Sequence, residues 1–149
     1  MNAQPLMTMP VWMLLGFAAW TALVLLSTIG VYRLSRVLAG RAGMADFPAD
    51  KVEGDDWYKR SMRAHANCVE NLPVFGAIVL ALCAAQVAGP WVDGLSIAIL
   101  AARVVQSSVH IGLVQTNKVV TVRFTFFFVQ LASFLALIAI VVGHALPSS

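Results

Sequence analysis

Charge is scarce in this 149-residue chain: 11% of its residues are charged, while 60% are hydrophobic. A soluble domain carries roughly a quarter charged residues. The deficit excludes a disordered chain, a collagen-like fibre and an ordinary soluble enzyme. Net charge is also small, +3, too little for a nucleic-acid binder. Cysteine is limited to Cys68 and Cys83. On one helix, a rise of about 1.5 Å per residue sets them roughly 22 Å apart. A disulfide tolerates a Cα separation of only about 7 Å, so both read as free, packed thiols. No Lys or Arg precedes Arg33, whereas a cleavable secretory signal opens on a basic segment. The first apolar run therefore reads as a retained helix. Internal repeats, low-complexity tracts and the His/Cys/acid spacing of a metal site are all lacking.

What the chain has instead is long apolar runs. A spanning helix takes about 20 mostly apolar residues, and four such runs fill residues 1–149 as a single membrane domain. The pattern predicts helices over about 9–38, 55–87, 93–115 and 118–146. Asp55 or Asp56 can cap the second, Ala88-Gly89-Pro90 stops it, and Gln115-Thr116-Asn117-Lys118 forms a short turn before the fourth. The expected fold is an all-α, antiparallel four-helix transmembrane bundle. Arg33, Arg36, Arg41, Lys51, Lys59, Arg60 and Arg63 lie in or beside the first loop, and Lys118 beside the third. The tails and the second loop carry no Lys or Arg. The positive-inside rule then puts the first and third loops in the cytoplasm and both termini outside. Asp46, Asp50, Glu53, Asp55 and Asp56 lower the first loop's net charge but weigh little in that rule.

Ionisable residues within a spanning helix are costly and mark candidate sites. At about 100° per residue, Arg60, Arg63, Asn67 and Glu70 share an arc of roughly 80° on the second helix. Arg103, Gln106, His110 and Asn117 share an arc on the third, and Arg123 and Gln130 face one way on the fourth. Such stripes should face protein or water rather than lipid. Most lie toward the cytoplasmic ends. Arg103 lies deeper, about 20 Å from the third loop by helical rise, and Glu70 is the acid expected to pair with it. His65 points away from Arg63 and Asn67 and reads as a packing group. Several guanidiniums beside one carboxylate suit an amino-acid-like or peptide-like anion, because Arg grips carboxylates with a rigid fork and Glu70 can take an amine.

At these residues a family resemblance enters. Arg63-Ala64-His65-Ala66-Asn67-Cys68-Val69-Glu70-Asn71-Leu72-Pro73 resembles the R-x-H-x-N-x-x-E-x-x-P signature of the MAPEG family, the membrane-associated proteins in eicosanoid and glutathione metabolism. Arg103 to His110, then Asn117-Lys118 and Arg123, resembles its third and fourth helices more loosely. The resemblance, which spans nearly the whole chain, is nearest to a bacterial microsomal-type glutathione transferase. It implies a homotrimer with glutathione bound between subunits near the cytoplasmic face. It implies that Arg63, Asn67 and Glu70 hold glutathione, that Arg103 is the deep Arg paired with the second-helix Glu, and that Arg123 is the catalytic group that stabilises the thiolate. Arg60 and His110, on the same stripes, join them as candidate glutathione contacts.

His110 replaces the Tyr of the eicosanoid-making branch, and Phe124, Phe126, Phe127 and Phe128 follow Arg123 without a Tyr. A detoxifying transferase fits better than an eicosanoid synthase. The expected activity is glutathione transfer to a lipophilic electrophile, with peroxidase action on lipid hydroperoxides as a second outcome of the same thiolate. The expected location is a bacterial inner membrane. The alternative is a non-catalytic lipid-binding or scaffold protein of the same fold.

Overall fold

The computed structural model describes residues 7–48 and 51–146. Asp50 and the outermost residues of both tails lie outside them. Among the described residues, four helices are long and apolar enough to cross a membrane, and the chain is an integral membrane protein: α1 Met9–Leu38, α2 Asp56–Ala84, α3 Pro90–Gly112 and α4 Asn117–Ala145. Short second and third connections make successive helices antiparallel. The first and third loops share one end of the bundle and the second loop lies at the other.

Local chemistry sets the helix ends. Pro10 and Pro90 sit in the first turns of α1 and α3, where a missing N–H costs nothing. Asp55 is the residue before α2, but its side chain makes no capping bond there. Thr116 does cap α4, its hydroxyl accepting from the Val119 amide at 3.3 Å. Asn117 therefore opens α4 and does not extend the third-helix stripe. α2 ends at Ala84, short of the expected Val87. The Val87 amide donates back to Leu82 and the Gln86 amide to Cys83, closing a Schellman turn with Gln86 at φ 54°. The turn leaves Cys83 exposed instead of packed, while Cys68 is buried; both thiols are free.

α1 contains a π-helical turn, Leu25–Gly30. Ser27 and Thr28 hydroxyls donate to the carbonyls of Leu23 and Val24, a back-bonding that distorts helices. The wider turn inserts one residue into the inward pattern. Phe17, Thr21 and Val24 face the core at ordinary spacing; the next inward residue is Ile29 rather than Thr28, followed by Tyr32. The π turn thus aims Ile29 and Tyr32 at α2.

The main core is aromatic and aliphatic. Phe75 lies between Phe17 and Phe134, with ring centroids 6.0 Å from each, and Ile99 and Leu137 are fully buried around them. A second cluster sits at the end holding the first loop. Tyr32 stacks on Tyr58 at 4.0 Å, Arg33 donates to the Tyr58 hydroxyl at 2.8 Å and lies over Phe47, and Arg36 pairs with Asp55. These contacts pin the first loop to α1 and α2. Inward hydroxyls such as Thr21, Ser96 and Ser133 bond carbonyls one turn back, so these three donors are satisfied within their own helices.

One outer face is unusual. Phe124, Phe128, Leu131, Leu135, Ile138 and Val142 of α4 are all exposed and recur at the alternating three- and four-residue spacing of a helix-packing seam. On α2, exposed Arg63, Glu70, Val74 and Ala77 keep the same spacing. An open apolar groove of ≈ 620 Å³ runs between α2 and α4, floored by Val74, Ala77, Ile138 and Val142.

Candidate functional site

The polar residues gather at the end of the bundle that holds the first and third loops. Arg60 is fixed there by its own geometry: its Nε donates to the Ile111 carbonyl at 3.2 Å, covering an open carbonyl in the last turn of α3, where a cation is favoured. Arg63 lies one turn further along α2. Together with Lys59 and His110 they wall a cavity of ≈ 250 Å³ whose one acidic wall residue is Asp56. His110 faces inward and is buried. Cations from α2 and an imidazole from α3 thus converge on one concave space.

A second cavity, ≈ 260 Å³, opens between α3 and α4. Arg123, Gln106, Phe124 and Phe127 line it. The Arg123 Nε and the Gln106 Oε1 are buried and without hydrogen-bond partners. One is an unused donor and the other an unused acceptor. A buried polar group left bare costs about 1–3 kcal/mol, so this pair suits a ligand that supplies an anion and a donor. Gln115, in the turn between α3 and α4, lines both cavities.

Of the expected site residues, the fold brings Arg60, Arg63 and His110 together, and puts Arg123 in the neighbouring cavity. Asn67 and Glu70 line neither. Asn67 is half-buried, and its carbonyl accepts from Asn71 Nδ2 at 2.7 Å. Asn71 Oδ1 in turn accepts from Gln130 Nε2 at 3.3 Å, which ties α2 to α4.

The expected Glu70–Arg103 pair does not form within the chain: no ion pair links them among the described residues. Arg103 is 1% exposed and lies over the Phe17 ring, 5.6 Å from its centroid. Cys68, buried beside Phe17, faces the core, and Glu70 lies roughly 160° around α2 from it. Glu70 therefore projects from the outer face while Arg103 stays inside. Arg103 Nε and Nη2 have no hydrogen-bond partners.

Gln106 and Gln115 were not among the expected site residues. Gln106 had a signal, since it shares the α3 stripe with Arg103 and His110. Gln115 had none, because a glutamine in a short turn is unremarkable until two cavities meet at it. His65 is half-buried, with its Nδ1 unpartnered.

No curated protein and no solved structure matches the chain. The sequence profile of the MAPEG family matches residues 9–143, nearly the whole length. With that match over nearly all of its length and four helices long and apolar enough to cross a membrane among the described residues, the chain belongs to the MAPEG family.

Proposed function

We propose that this protein is a glutathione-dependent membrane transferase that activates the glutathione thiolate for attack on a lipophilic electrophile. The observation that carries the reading is the pair of adjoining cavities, one walled by Arg60, Arg63 and His110 and the other by Arg123 with its unpartnered Nε. The fit to glutathione is chemical. Its two carboxylates suit the guanidiniums, and its thiolate suits the buried donor of Arg123. Glutathione supplies the nucleophilic sulfur. Arg60, Arg63 and His110 bind and orient the acidic arms, and Arg123 stabilises negative charge at the thiol end. With transfer, the new bond is sulfur to carbon and the electrophile's leaving group departs with its electron pair. Reduction of a lipid hydroperoxide, with a second glutathione closing the disulfide, is the other outcome of the same thiolate.

Asn67 and Glu70 complete the site in this reading through a homotrimer, while Arg103 stays in the core of its own chain. Exposed Arg63 and Glu70 lie on a helix that spans a bilayer, where a charge facing lipid costs roughly 2.5–3.5 kcal/mol. The seam they share with Val74 and Ala77, and the groove beside it, support packing against a neighbouring copy that covers both residues. The basic first loop supports a bacterial inner-membrane orientation with the first and third loops cytoplasmic and both termini outside. Water-soluble glutathione then arrives from the cytoplasm and the electrophile from the lipid, as a detoxifying enzyme requires.

The test is ultraviolet difference absorbance of the purified protein titrated with glutathione. A saturable thiolate band, lost in Arg123→Leu, is the expected result. No band, with no protection against heat by glutathione, would overturn the reading in favour of a lipid-binding scaffold.

A further inference from the structure

The two cavities lie on either side of α3, one shared with α2 and the other with α4, and have a single lining residue in common, Gln115. Its position is fixed from both sides. Before it, the Leu113 amide donates to Val109 at 3.1 Å. After it, the Thr116 carbonyl accepts from Val120 at 2.9 Å while the Thr116 hydroxyl caps α4. The turn is therefore an anchored bridge, and the Gln115 side chain is exposed between two hollows. Its amide makes no hydrogen bond to another described residue. The chemistry on either side differs: cations and an imidazole in one hollow, a single guanidinium with a buried, unpartnered Nε, a bare acceptor and two phenyl rings in the other.

We infer that Gln115 joins the two cavities into one two-compartment site and is the positioning residue that reads the peptide linkage of an anionic thiol peptide lying across them. This rests on the transferase reading. A ligand with carboxylates in the Arg60–Arg63 compartment and sulfur at Arg123 must carry its backbone over the ridge between them. A primary amide is a neutral group whose NH₂ can donate to a peptide carbonyl while its carbonyl oxygen accepts from a peptide N–H, the complement of a peptide linkage. A cation at this point would compete for the carboxylates, and an apolar side chain would leave the crossing linkage without partners. Gln115 thereby confers selectivity for a peptide thiol over a small one, because a thiol that fills only the Arg123 compartment never crosses the ridge.

The test compares two thiols, glutathione and 2-mercaptoethanol, on the full-length protein and on Gln115→Leu and Gln115→Asn. Thiolate formation is read by ultraviolet difference absorbance. For Gln115→Leu, the half-saturating glutathione concentration rises about tenfold, the loss of one or two hydrogen bonds, while the 2-mercaptoethanol titration is unchanged. Gln115→Asn, shorter but still an amide, recovers part of the glutathione affinity. Glutathione titration of Gln115→Leu that matches wild type overturns the inference and leaves the transferase reading intact. An equal loss for both thiols marks a damaged turn and also overturns it. A wild-type protein that gives no thiolate band with glutathione overturns the transferase reading itself, and this inference with it.

Discussion

Arg103 rests its guanidinium over Phe17, 5.6 Å from the ring centroid, and forms no ion pair with Glu70. The relationship separates two roles that the sequence had merged. Arg103 is an internal residue, held by a ring and by its place beneath Ser107, which bonds its carbonyl at 2.6 Å and in turn accepts from Trp20 at 2.7 Å. Glu70 is an outward residue, exposed on the single chain.

If the ring face holds the buried cation, the two side chains are energetically coupled. A double-mutant cycle of Phe17→Leu and Arg103→Met should return a coupling of about 0.5–2 kcal/mol, read from denaturant unfolding in mixed micelles. Additive effects would remove the cation–ring contact as a source of stability. Arg103→Met alone should keep the fold, since a well-packed apolar replacement of a buried charge is often neutral or stabilising.

Glu70→Gln leaves the core untouched, because Glu70 is exposed on the single chain. Its effect should fall on assembly and on glutathione binding. We expect helical content by circular dichroism equal to wild type, with a smaller fraction of trimer by native mass spectrometry and a weaker thiolate band. A wild-type trimer fraction together with a full band would show that Glu70 serves neither.

Arg123 should set the pH at which the protein conjugates. A free thiol has a pKa near 8.5, and a nearby guanidinium favours the anion. The rate follows the fraction of thiolate, so it rises with pH and levels off above the bound thiol's pKa. Wild type should level off at lower pH than Arg123→Leu, whose rate should climb through about pH 8.5 as for unassisted thiol. At pH 7 the variant should lose about 10²–10³ in kcat, the usual cost of removing one charge-stabilising donor. Matching pH profiles would take Arg123 out of the thiolate's surroundings.

Much of this was legible in the sequence. Four apolar runs interrupted by Pro, Gly and charge specify four spanning helices, because length and hydropathy alone decide what crosses a bilayer. The polar stripes on α2 and α3 follow from helical period, and they bring Arg60, Arg63 and His110 together. What the period does not give is which side of a stripe faces in. Glu70 and Arg103 lie on stripes matched in depth by helical rise, yet Arg103 faces the core and Glu70 the outside of the chain. The π turn at Leu25–Gly30 was equally hidden, since Ser27 and Thr28 signal back-bonding only once their carbonyl partners are known. The end of α2 depends on Gln86 adopting a conformation that sequence assigns to glycine.

That conformation makes its own prediction. A residue other than glycine in the left-handed region costs roughly 1–2 kcal/mol. Gln86 closes the Schellman turn from there, with Val87 packed against the core and bonded back to Leu82. Gln86→Gly removes the steric cost but loosens the unfolded chain. The net expectation is a gain of about 0.5–1 kcal/mol, seen as a higher denaturation midpoint with thiolate formation unchanged. Gln86→Val should lose stability, as a β-branched side chain tolerates this region worst.

Cys83 offers a direct check on orientation. It lies exposed in the last turns of α2, at the end of the bundle opposite the basic first loop, whereas Cys68 is buried in the core. If the basic loops are cytoplasmic, Cys83 reaches the far side of the membrane. A membrane-impermeant maleimide should then label intact cells stripped of their outer membrane, and Cys83→Ser should abolish the labelling. Cys68 should react only after denaturation, because it has no exposed surface. Labelling confined to inverted vesicles would reverse the topology and bring the Arg60–Arg63 cavity to the outer face, away from the cytoplasmic glutathione that the proposed reaction consumes.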